Sequence, residues 1–201
     1  MRSPICCMVL LAIAAFGVSQ DVATKPIISE ESLTREQVSI YRTVLKDYLK
    51  GSDGALNVSA LTEPLDQSDD CVKQMRSENL TAPAAAVHRL EPSLVSGTKI
   101  TLVDPTRQRR AVAENDPQNL MKKAIDEHEK VTDEELDHSV KQAFRTGLFT
   151  LSEIAFDKEH RRAVVSYSFV CGMLCGHGNT LIFKKIGQDW KIAKRCGGWV
   201  S

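Results

Sequence analysis

Apolar positions along the chain follow two different periods. Val38, Tyr41, Leu45 and Tyr48, joined by Val44 and Leu49, recur at helical spacing on one face. Ahead of them, Thr34-Arg35-Glu36-Gln37 forms a capping box, in which the threonine oxygen and the glutamine side chain satisfy each other's free backbone amides, and Gly51 is a natural stop. The spacing predicts an amphipathic helix from 34 to 51. Asp116-Pro117 reads as an N-cap followed by proline at the first helical position, opening a helix through Leu120, Met121, Ala124 and Ile125. Thr132-Asp133-Glu134-Glu135 is a second capping box, and its helix is expected to pack Leu136, Val140, Ala143 and Phe144 before Gly147 ends it. Between these helices the pattern weakens. A strand is expected near Leu56 to Leu61, with short helical turns around Cys71 and around Ala84 to Leu90. A further strand is expected at Lys99 to Val103, closed by Asp104-Pro105.

From Leu148 the period changes to two, giving four strands at about 148–156, 162–170, 179–186 and 190–196. Gly187-Gln188 suits a two-residue hairpin turn with glycine first, which pairs Ile186 with Asp189. That register puts Leu181 and Phe183 on one face with Trp190 and Ile192, and extends to Val165, Tyr167 and Phe169. Ser166, Ser168, Thr180, Lys184, Lys191 and Arg195 fall opposite. The expected fold class is α+β, with N-terminal and middle helices packed on a C-terminal four-stranded antiparallel meander that buries one face. Residues 34–201 form a single domain, 34–146 mainly helical and 148–201 the meander.

The start of the chain changes where this domain is expected to reside. Arg2 precedes an apolar run from Met8 to Val18, and small residues stand at Gly17 and Ser19, which together make a cleavable signal peptide over residues 1–19. The apolar run is about half the roughly 20 residues needed to cross a bilayer, so no membrane span is expected. Residues 20–33 carry few large apolar side chains and read as a flexible lead-in. The implied location is secreted or periplasmic. The roughly 180 residues that follow the leader suffice for one domain with its own core. Acidic and basic residues balance at 26 each, so charge gives no reason to expect nucleic acid as a partner.

Cys6 and Cys7 leave with the leader, and an even set remains: Cys71, Cys171, Cys175 and Cys196. In an exported chain this favours two disulfides. The predicted register sets both Cys171 and Cys196 opposite Asn179 on the core face, two strands and about 9 to 10 Å apart, beyond the roughly 7 Å reach of a disulfide. Two pairings remain open. One joins Cys171 to Cys175 and Cys71 to Cys196, and is preferred; the other joins Cys175 to Cys196 and Cys71 to Cys171.

Cys171-Gly172-Met173-Leu174-Cys175-Gly176-His177 is the one segment with chemical interest. Cys171, Cys175 and His177 together have the donors for Cu(I), and the two thiols could cycle as a redox pair. The three-residue spacer is not that of thioredoxin-like motifs, and the glycines suit a tight strand connection, so a structural crosslink is the favoured reading with no cofactor and no metal. Glu135-x-x-His138 has di-iron spacing but occurs once, and reads as a solvated helix face. His88, His128 and His160 read as surface residues. No Gly-x-Ser-x-Gly, His-Glu-x-x-His or phosphate-cradling glycine loop occurs. Asn57-Val58-Ser59 and Asn79-Leu80-Thr81 are sequons, and Arg107-Gln108-Arg109-Arg110 has the form of a dibasic processing site.

Phe156-Asp157, Ser168-Phe169-Val170-Cys171-Gly-x-Leu-Cys175-Gly176, Phe183-Lys184-Lys185, Gly187-x-x-Trp190 and the closing Trp199-x-Ser201 resemble a C-terminal domain of uncharacterised exported bacterial proteins. The resemblance covers about a quarter of the chain. It implies a bacterial envelope or extracellular setting, in which the sequons and the dibasic run carry no meaning, and it brings no activity with it. The functional expectation is therefore an exported, disulfide-stabilised, non-enzymatic binding or interaction module that uses the groove between helices and sheet to hold a protein or small-molecule ligand. The rivals are a thiol-redox or copper protein using Cys171, Cys175 and His177, and an enzyme whose site is dispersed along the chain.

Overall fold

Thr34 starts the first helix. In the computed structural model, which describes residues 27–50, 54–76, 80–81 and 87–201, Thr34 Oγ1 accepts from the Gln37 amide while the Gln37 side chain accepts from the Thr34 amide. Helix α1 (Arg35–Leu49) buries Ile40, Tyr41, Val44 and Leu45. The leader over residues 1–19 and residues 20–26 of the lead-in lie outside the described residues.

The molecule combines helices with a mixed seven-stranded sheet, an α+β arrangement wider than the expected meander. Strands β1 (Leu56–Ser59), β2 (Ile100–Val103) and β3 (Leu148–Leu151) run parallel to one another. Beyond them β4 (Ala155–Phe156), β5 (Arg162–Gly172), β6 (Cys175–Ile186) and β7 (Asp189–Val200) continue antiparallel. The order across the sheet is β2-β1-β3-β5-β6-β7, with β4 pairing β5. The predicted strand 148–156 is split because the backbone turns aside at Ser152–Ile154, where the Glu153 amide donates to the Glu63 carbonyl.

Parallel strands need long crossovers, and the helices occupy them. Helix α2 (Asp70–Arg76) lies between β1 and β2. Helices α3 (Pro105–Glu114), α4 (Pro117–Glu127) and α5 (Asp133–Thr146) lie between β2 and β3. Helix α3 was not expected. Asp104 caps it by accepting from the Arg107 amide at 2.8 Å, with Pro105 at the first turn. This is the same cap-and-proline signal as Asp116-Pro117, but its residues are so polar that only Pro105 and Val112 are buried. The dibasic run falls inside this helix. The helical turn expected near Ala84 to Leu90 is also corrected. Residues 82–86 lie outside the described residues, while Val87 and Arg89 make β-bridges to Ile28 and Leu61 and are extended.

Both faces of the sheet are covered, not one. On the first, Ile40, Tyr41 and Val44 of α1 join a core with Phe149, Val165, Leu181 and Phe183. On the second, Leu65, Val72 and Met75 pack with Ala155, Val164 and Ile182. The expected core stripe of α5 is largely absent from both. Ala143 is buried, but Phe144 is 55% exposed, and Ile125 of α4 is 71% exposed. The Asp116-Pro117 cap and the Thr132 capping box correctly mark where α4 and α5 begin, but the two helices pack chiefly against each other, and α5 also reaches β5.

The meander keeps the predicted sidedness as far as Ile192 but not the predicted register. The β5–β6 hairpin turns tightly at Met173–Leu174, pairing Gly172 with Cys175 and Val165 with Leu181. This moves the predicted pairing by an even number of positions, so every side chain keeps its face. On the β6–β7 side, Ile186 pairs Asp189 and Phe183 pairs Ile192, but Ile182 pairs Lys194, leaving Ala193 as an extra residue. A bulge of this kind inverts the alternation beyond it. Arg195 therefore turns toward α1, where it meets Asp47 at 2.5 Å, and Cys196 turns to the opposite face among Val72, Met75 and Ile182.

Candidate functional site

The segment singled out for metal or redox chemistry forms the β5–β6 turn. Cys171 and Cys175 are joined by a disulfide with their Cα atoms 5.1 Å apart, and Cys71 is joined to Cys196 with a Cα separation of 6.0 Å. The alternative pairing of Cys175 with Cys196 and Cys71 with Cys171 is not the one present. His177 is held with the aromatic side chains of the first face, its ring stacked on Tyr48 at 5.7 Å. The nearby glycines serve a purpose other than the turn. A side chain at Gly178 would meet the Trp199 indole at 2.4 Å and the Tyr167 carbonyl at 2.8 Å, so Gly178 admits the ring of Trp199 against the strand. Among the described residues, no group of three or more His, Cys, Asp or Glu side chains is placed to hold a metal ion.

His88 was expected at the surface, and the structure places it elsewhere. Its side chain is 16% exposed and its Nδ1 lies 2.9 Å from Oε2 of Glu153, whose own side chain is 3% exposed. Glu153 also accepts from the His88 amide at 2.9 Å and from the Thr62 hydroxyl. Tyr41 completes the cluster. Burial, and then the nearby Glu153 carboxylate, push its phenol well above the ordinary range, so it stays neutral and donates to the Ser152 carbonyl at 3.0 Å. The pair ties three irregular segments, near residues 62, 88 and 153, where no regular ladder can satisfy the backbone. A carboxylate that orients an imidazole is half of a general-base arrangement. Among the described residues, no hydroxyl or thiol is hydrogen-bonded to the other ring nitrogen. The remaining predicted surface histidines are exposed: His128 ends α4 with a left-handed backbone, and His160 pairs with Glu36 at 2.9 Å. Glu135 is engaged as the cap partner of Thr132, whose backbone and side-chain hydrogen bonds hold its carboxyl below the usual range.

A cleft opens on the second face, between α3 and strands β3 and β5. Its volume is about 440 Å³, within the span typical of small-molecule sites. Val112, Leu148 and Val170 give it apolar walls. On its floor the hydroxyls of Thr150 and Ser168 share one hydrogen bond of 2.7 Å, which leaves each with unused capacity. Arg109 and Glu63 are paired at 2.5 Å among its lining residues. One end is fixed by Asp116. Its Oδ1 caps α4 through the Gln118 amide at 2.9 Å, and its Oδ2 accepts from the Met173 amide at 2.7 Å, locking the disulfide-closed turn to the helices. The cleft is thus a rigid apolar slot with two hydroxyls inside and both signs of charge in its lining.

Sequence reasoning anticipated a groove between helices and sheet but not these residues. Arg109 stands in a run that has only the form of a processing site, Ser168 is sorted only as a polar position of its strand, and Thr150 draws no reading beyond its place in the strand expected over 148–156. The Asn57 sequon is likewise structural: its amide donates to the carbonyls of Arg145 and Gly147 at 2.9 and 3.2 Å. No protein-family model matches the chain, and no similar curated protein or solved structure was found.

Proposed function

We propose that this chain is an exported, non-enzymatic binding module that takes a small amphipathic ligand in the cleft between α3 and strands β3 and β5. The observation that carries the proposal is the cleft's composition: apolar walls, paired hydroxyls on the floor and the Arg109–Glu63 pair. The walls would bury an apolar body, and the hydroxyls would orient a polar group. Arg109 would favour an anionic end, by exchanging its contact with Glu63 for one with the ligand. The exported setting draws its support from the leader sequence and from two disulfides, which persist in oxidising compartments. The bacterial setting draws its support from the resemblance of the C-terminal segment.

The test is a titration with anilinonaphthalene sulfonate, an apolar ring system bearing one anionic group. Saturable uptake by the folded protein is expected, and Ala113→Trp should abolish it. Ala113 lines the cleft yet is exposed, so the larger ring blocks the slot without disturbing a core. Absence of saturable uptake, or uptake unchanged in Ala113→Trp, would reject the cleft as the ligand site. A hydrolytic or transferase activity removed by one point change at His88 or Glu153 would overturn the non-enzymatic reading.

A further inference from the structure

A second groove lies across the first face of the molecule, between α1 and β7. Its volume is about 710 Å³, and the cations Arg35, Arg42, Lys46 and Lys50 line its α1 side. In a chain whose formal charges cancel, this is a concentrated positive field. Arg35, Arg42 and Lys46 of α1 and its C-cap Lys50 stand at i, i+7, i+11 and i+15, spacings that return to the same side of a helix, so they form one stripe roughly 22 Å long. Arg42, Lys46 and Lys50 follow at single-turn intervals of about 6 Å.

The carboxylates that would neutralise this stripe are occupied. Asp47 is held by Arg195 at 2.5 Å, with Lys50 more distant at 3.8 Å. Glu36 is held by Lys185 at 2.5 Å and by His160 at 2.9 Å. Among the described residues no carboxylate pairs with Arg35 or Lys46, and Arg42 donates to the Ser93 carbonyl.

We propose that the α1–β7 groove binds a linear anionic polysaccharide, with Arg35, Arg42, Lys46 and Lys50 meeting sulfate or carboxylate groups on successive sugars. A small anion cannot touch cations spread over roughly 22 Å of helix, whereas a linear polymer can. Single-stranded nucleic acid is disfavoured because such ligands stack bases on exposed aromatic rings. The groove's one aromatic side chain, Trp190, is 4% exposed and packed edge-on against Phe156. This site is separate from the α3 cleft and does not depend on what that cleft binds.

The experiment is calorimetric titration of the full chain with a heparin oligosaccharide at about 0.15 M salt, where loose charge attraction is largely screened. Binding is expected, with Arg35→Ala/Lys46→Ala raising the Kd about tenfold. Lys122→Ala/Lys130→Ala removes the same net charge from exposed positions outside the groove and should leave the Kd unchanged. All four positions are solvent-facing, so the variants retain the fold. The proposal is overturned by no heparin binding, by equal weakening in both double variants, or by tighter binding of single-stranded DNA or anionic lipid vesicles of matched charge.

Discussion

Nδ1 of His88 lies 2.9 Å from Oε2 of Glu153, across 65 residues of sequence, in a place where the carboxylate has almost no contact with water. Removing the imidazole leaves the buried carboxylate with only the Thr62 hydroxyl and the backbone amide of residue 88 as hydrogen-bond donors. His88→Ala should therefore destabilise the fold by about 3 kcal/mol, read as a lowered urea midpoint at unchanged slope. A loss under about 0.5 kcal/mol, the range of ordinary surface substitutions, would show that water already screens the carboxylate.

The Cys71–Cys196 bond closes a sequence separation of 125 residues, and Cys171–Cys175 one of 4. In the chain-entropy model the long bridge contributes about 4 to 5 kcal/mol and the short one about 2. Replacing Cys71 and Cys196 together by alanine should cost clearly more stability than replacing Cys171 and Cys175. Peptide mapping without reductant should recover Cys71 joined to Cys196. An equal cost for the two double variants would remove the entropic account.

All three tyrosines of the chain are buried or half-buried on the α1 side of the sheet. Burial raises each phenol: Tyr41 well above the ordinary range with help from Glu153, Tyr48 to about 12 with help from Tyr167, and Tyr167 to a smaller degree because Arg195 pulls the other way. A phenol whose folded value is raised stabilises the fold below its unfolded value, near 10, and loses that contribution as the pH climbs toward the folded value. Ultraviolet titration of the native protein should show no tyrosinate forming around pH 10, and alkaline unfolding should release all three together. A normal phenol titrating in the folded state would contradict this packing.

These environments were only partly legible in the sequence. The caps at Thr34, Asp116 and Thr132 were readable because a cap is a contact between residues two or three apart. The sidedness of the meander was readable as far as Ile192 because alternation survives an even shift in pairing, whereas the bulge at Ala193 inverts it for Arg195 and Cys196. Strands β1 and β2 were readable near Leu56 to Leu61 and at Lys99 to Val103, but their parallel pairing with each other and with β3 was not, since the partners lie across long crossovers. Glu153 gave no signal either. A glutamate between Ser152 and Ile154 reads as one more position of the strand expected over 148–156, and its meaning comes from His88 and Thr62, which approach only in three dimensions. The α3 cleft was hidden for the same reason, its walls coming from three separated segments.

Glu36 links α1 to the β6 end of the sheet through Lys185 and to the β4–β5 turn through His160. Burial opposes its ionisation, but hydrogen bonds from Lys185 and His160 outweigh that and hold the carboxyl below the usual range. A carboxyl lowered in the folded state stabilises above its unfolded value, near 4.3, and that contribution is lost as the pH falls through the folded value. Glu36→Gln should be less stable than the parent at pH 7 and approach it below about pH 4. A stability difference that stayed constant from neutral to acid pH would exclude the charge as its source.

The extra residue at Ala193 gives strand β7 a property that no single substitution table would reveal. Trp190 serves one core and Cys196 the other, and what divides them is the number of residues between, not their identity. Chemical variation at 193 is cheap because its side chain is exposed. Deleting it would rotate Cys196 away from Cys71 and bring Arg195 out of reach of Asp47. In this strand the selectable quantity is length, and drift is constrained there by counting before it is constrained by chemistry.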